Sequence, residues 1–134
     1  MQAIIDIIAA RCHALYGYHD RGDPVSFDWQ WPALTADNNW HDLNLSGIVP
    51  AGALLVLFSV FHRASATSAR FLMRQNGNYN EFNVASLRSQ NANILQDTHF
   101  LVSPDANGIV EYRIVPFGTD YLRLTVRGWF GPES

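Results

Sequence analysis

The chain has 134 residues, 48% of them apolar and 13% aromatic, enough for one domain with its own core and too much for a disordered chain. Its formal charge of −3, with nine arginines and no lysine, excludes the basic field that general binding to nucleic acid or an acidic membrane surface requires. Cys12 is the only cysteine, which excludes an intrachain disulfide and a zinc site of paired cysteines, and no stretch reaches the ~20 apolar residues of a membrane-spanning helix.

Residues 1–16 predict a short helix. Ile5, Ile7, Ile8, Ala9, Cys12, Leu15 and Tyr16 fall on one broad arc, with Asp6 and His13 opposite and Arg11 intruding into the apolar side. The segment lacks a positive leading region and carries Asp6 and Arg11, so it does not read as a signal peptide. A one-sided helix this short is marginal alone and must dock, either on its own sandwich or on a neighbouring subunit. Gly17 and Gly22-Asp23-Pro24 end it, making residues 1–24 a helix and linker arm and residues 25–134 the main domain.

From Val25 the period changes to two. Val25, Phe27, Trp29 and Trp31 alternate with Ser26, Asp28 and Gln30, which predicts a half-buried strand stopped by Pro32, with both tryptophans in core packing. A turn at Asp37-Asn38-Asn39 leads to Trp40 and a short run in which Leu43 and Leu45 face one way. Residues 53–63 are nearly all apolar and predict a central strand buried on both faces. Strands follow at 70–75 and 81–87, joined by Asn76-Gly77-Asn78, with Phe82 and Val84 sharing a face and Tyr79 at the hairpin tip. Residues 88–97 read as a long crossover loop. Strands at 99–102, 109–115 and 120–130 complete the domain, separated by turns at 105–108 and 116–119, and residues 131–134 form a tail. About eight short strands at regular spacing predict an all-β, antiparallel β-sandwich, jelly-roll-like, with a short N-terminal helix.

No constellation calls for catalysis. His13, His19, His41, His62 and His99 have no metal-ligand spacing; His19-Asp20 with Asp23 comes nearest and reads as a solvated loop. There is no G-x-S-x-G, Cys12 lies on the apolar side of the helix, and the carboxylates are scattered through turns. No cofactor is expected. Arg21-Gly22-Asp23 matches an adhesion tripeptide but is also ordinary turn chemistry. These features point to a structural or binding module whose contacts come from Ile5, Ile8, Leu15, Tyr16, Tyr18, Trp29, Trp31, Trp40 and Tyr79, since exposed apolar and aromatic side chains dominate protein and sugar contacts.

Several motifs carry a resemblance. Asp42-Leu43-Asn44-Leu45-Ser46-Gly47-Ile48-Val49-Pro50-Ala51-Gly52 opens the apolar strand, Arg74-Gln75-Asn76-Gly77-Asn78 makes a hairpin turn, and Asn83-Val84 and Arg88 follow it. Asp105-Ala106-Asn107-Gly108-Ile109-Val110-Glu111-Tyr112 forms a second hairpin and Thr125-Val126-Arg127-Gly128-Trp129 closes the chain. Together, over roughly two thirds of the chain, they resemble a family of small β-sandwich proteins of bacteriophage and prophage genomes. The motifs are turn and strand signatures, so the resemblance implies a fold and a genomic setting and carries over no catalytic residue. It implies a virion component made in the host cytoplasm. The expected role is a capsid decoration protein that binds copies of itself (a trimer) and the major capsid protein; the rival is a tail or fibre module that binds a receptor or glycan.

Overall fold

A computed structural model describes residues 1–116 and 118–134; Phe117, within the turn expected at 116–119, lies outside the described residues. Among the described residues one helix, α1 (Gln2–Tyr16), precedes nine strands: β1 (Tyr18–Asp20), β2 (Trp29–Gln30), β3 (His41–Asn44), β4 (Leu55–Ala64), β5 (Arg70–Gln75), β6 (Ala85–Arg88), β7 (Gln96–Val102), β8 (Ile109–Val115) and β9 (Thr119–Phe130). One sheet has the order β1-β9-β4-β7, with β2 also pairing with β9, and the other has the order β3-β8-β5-β6. All pairings are antiparallel. From β2 onward the chain changes sheet at every connection except β5 to β6, and the two four-strand orders are those of a jelly roll. The all-β sandwich expected from strand spacing is therefore present, with β1 as an additional strand inside the segment read as a linker.

Period-two patterning builds the core. On β4, Val56, Phe58, Val60, His62 and Ala64 are buried while Leu55, Leu57, Ser59, Phe61 and Arg63 are half-buried. The strand is central, between β9 and β7, but it is not buried on both faces as its near-continuous hydrophobicity suggested. Among the described residues no helix or second sheet covers the outer side of this sheet, where Phe27 packs edge-on against Phe61 at 5.9 Å, and the apolar side chains there stay half-buried. Opposite, Phe71 and Met73 of β5 and Val110, Tyr112 and Ile114 of β8 complete the core, with Phe71 stacked on Phe100 at 5.8 Å.

The strand expected over residues 25–31 shrinks to Trp29–Gln30, and Val25 is fully exposed. The cause is visible on β9. The Val126 N–H donates to the Asp28 carboxylate at 2.8 Å, and Arg21 is ion-paired with the same carboxylate. A side chain has taken the place of the backbone carbonyl that a longer β2 would supply. Trp29 and Trp31 still pack against the core, half-buried.

The topology sorts the loops. Residues 45–54, 76–84 and 103–108 gather at one end of the sandwich, where Gln75 donates to the Pro104 carbonyl and Asn76 to Asp105. Helix α1 leaves from this same end, because β1 pairs with the last residues of β9.

Candidate binding surfaces

Helix α1 has no buried residue. Ile4, Ile5, Ile7, Ile8, Leu15 and Tyr16 are all exposed, so the sandwich buries none of these side chains. Its junction is firmly made, however. The Gly17 N–H donates to the His13 carbonyl at 2.8 Å, the Gly131 N–H donates to the Gly17 carbonyl, and His13 stacks on His19 at 5.2 Å. The helix is thus a projecting arm on a fixed root. Of the two docking partners that the sequence left open, its own sandwich is not used.

Tyr18 is part of that root. Its ring lies where a Cβ on Gly128 would collide, sits 5.3 Å from Phe130, and its hydroxyl donates to the Arg127 carbonyl at 3.3 Å. A glycine in mid-strand here serves close packing rather than flexibility. His19 bonds through Nε2 to the Gly131 carbonyl, and Asp20 accepts from the Gly22 N–H, so neither faces Asp23 as a ligand pair. Arg21 is committed to Asp28 and the Val126 carbonyl, which removes it from display as part of an adhesion tripeptide.

The second surface is the loop 76–84, folded back over the outer face of the β3-β8-β5-β6 sheet. Glu81 accepts from Arg113 Nη1 at 2.6 Å and from Trp40 Nε1 at 3.3 Å. The Trp40 ring in turn covers Arg74, whose guanidinium lies 3.9 Å from the ring centroid and donates to Glu111 at 2.7 Å. Glu111 also accepts from the Gly77 N–H at 3.4 Å. Trp40, named from the sequence as a contact residue, is thereby a structural tie between loop and sheet. Tyr79 is 94% exposed, as a hairpin tip suggests. Phe82 was expected on a strand beside Val84 and is instead 96% exposed on the loop. Asn78, Tyr79, Asn80, Phe82 and Asn83 line a shallow groove of about 330 Å³. A neighbouring cleft of about 320 Å³ opens between the edges of β6 and β7, and Asn83 borders both.

The remaining exposed apolar residues follow the helix end: Leu54, Leu101 and Phe130 lie there, whereas Ile94 and Leu95 lie in the loop at the other end. Sequence reasoning missed Leu54, Leu101 and Phe130 because each lies in a strand or turn pattern indistinguishable from core. Among the described residues, no three His, Cys, Asp or Glu side chains converge on one point.

No family model, no curated protein and no solved structure matches this chain.

Proposed function

We propose that this chain is a non-enzymatic structural protein of a bacteriophage particle, a decoration protein that binds copies of itself and the underlying shell. The carrying observation is α1, a helix with apolar side chains along its length and none of them buried. An amphipathic helix this short is not stable on its own account, so a partner in trans supplies its missing cover.

Copies of α1 fit each other. Met1, Ile5, Ile8, Cys12 and Leu15 recur at alternating intervals of four and three, the seam of a coiled coil, and isoleucine at both seam positions favours three or four strands over two. In a parallel bundle the flanking Arg11 of one helix faces Tyr16 of the next, a cation–π pairing. Ile7 falls outside the seam, where it is free for the shell. The jelly roll suits this role by analogy, because viral capsid domains share the architecture, and the motif resemblance points to the same setting.

The test is the copy number in purified particles, by quantitative mass spectrometry against the major capsid protein. Decoration requires on the order of hundreds of copies in a simple ratio to the shell, as symmetric assembly dictates. A count of only a few to roughly a few tens would select a position at the tail, the second reading, which the aromatic loop 76–84 favours.

A further inference from the structure

We propose that the groove of loop 76–84 is a binding site for a neutral carbohydrate. The sequence of the loop interleaves planar amides with aromatics: Asn76, Asn78, Asn80 and Asn83 alternate with Tyr79, Glu81 and Phe82. A pyranose ring presents an apolar C–H face and a rim of hydroxyls that both donate and accept. The two rings, 94% and 96% exposed, offer stacking surface for the face. The side-chain amides of Asn78, Asn80 and Asn83, which have no partner among the described residues, offer a donor and an acceptor each for the rim.

Charge selects the ligand class. No cation lines the groove, and the one carboxylate on the loop, Glu81, is neutralised by Arg113. A phosphate or uronate would find no counter-charge there, whereas a neutral sugar needs none. Rigidity adds to the case. The loop is tied at Asn76 to Asp105, at Gly77 to Glu111 and at Glu81 to both Arg113 and Trp40, so the rings are held out at little further cost in ordering on binding.

The site stands independently of the assembly reading, and the test keeps the two apart. The full chain, labelled with ¹⁵N, is titrated with maltohexaose, cellohexaose and chitohexaose as neutral probes and with a heparin hexasaccharide as the acidic one. The expected result is saturable shifts of the Asn78, Asn80 and Asn83 side-chain amides with at least one neutral probe, weakened about tenfold or more in Tyr79→Ala and in Phe82→Ala. Both side chains are solvent-exposed, so the rest of the amide spectrum should be unchanged and certifies the fold. Absence of saturable shifts with all three neutral probes at about 10 mM, shifts with the heparin fragment alone, or full affinity in the double alanine variant would each overturn the proposal. So would a change of oligomeric mass in Tyr79→Ala, which would make the loop a contact between copies.

Discussion

His62 lies on the core face of β4 with no exposed surface, its Nε2 3.2 Å from Thr119 Oγ1 and its Nδ1 without a partner. Burial holds its pKa below the ordinary imidazole value near 6.5, and Asp120 offsets this only in part. The folded state therefore binds fewer protons than the unfolded chain below that value, so stability is complete above about pH 6.5 and falls as the solution is acidified. The slope from this one group cannot exceed about 1.4 kcal/mol per pH unit, one proton's worth, and urea midpoints between pH 7 and 5 measure it. His62→Gln should flatten that limb; an equally steep limb in the variant would assign the acid sensitivity elsewhere. The Asp105 carboxylate is held below its usual range, first by Asn76 and then by the Ile109 N–H, and it loses its contribution only at lower pH still. Glu111 faces a different constraint. It neutralises Arg74, whose side chain is 8% exposed beneath Trp40. Removing one partner of a buried pair costs more than the pair is worth, because the other charge stays behind. Glu111→Gln should lose about 3 kcal/mol in urea unfolding, well beyond what an exposed site such as Asp120 would lose.

Element by element, α1 is the part whose contribution separates cleanly from the rest. No residue of it is buried, so removing residues 1–16 should move the unfolding free energy of the sandwich by no more than about 0.5 kcal/mol while abolishing self-association. A truncated chain that still assembles would shift the contact to Leu54, Leu101 and Phe130 at the same end. The helix was legible from its apolar arc, β4 from its near-continuous apolar run (though not its one-sided burial), and β5, β8 and β9 from the turns between them. What alternation could not convey is competition for backbone partners. Residues 25–31 alternate well, yet Asp28 takes the Val126 N–H and the strand collapses to two residues. Phe82 and Val84 alternate too, but Glu81 between Phe82 and the turn is drawn to Arg113, 32 positions away on another strand, and the chain leaves the ladder. Both failures are side-chain bonds between distant residues, invisible to a local window. The candidate contacts divide in the same way. Exposure of Tyr16 and Tyr79 followed from local pattern, whereas the sequence left open whether the sandwich covers Ile5, Ile8 and Leu15, and the use of Trp40 as a cover for Arg74 was not legible.

At the scale of the whole molecule, the proposed arrangement of copies follows from where the seam lies on α1. Cys12 occupies a seam position and is exposed in the single chain. In a parallel bundle all copies place this residue at one level, with Cα separations compatible with the 4.4–6.8 Å span of a disulfide. In an antiparallel pair it would face residues near Asp6, out of reach. Mild oxidation of the assembled protein should therefore join Cys12 to Cys12 and yield covalent dimers. A trimer adds a stoichiometric signature: two of every three thiols can pair and the third cannot, so about one third of the chains should remain monomeric however long the reaction runs. Light scattering should independently give three times the 15.1 kDa chain mass. Ile8→Asp, which puts a charge into the seam without touching the sandwich, should return both measurements to the monomer. Complete conversion to covalent dimer would indicate an even number of helices, and no cross-link in a species of trimer mass would place the contact outside α1 altogether.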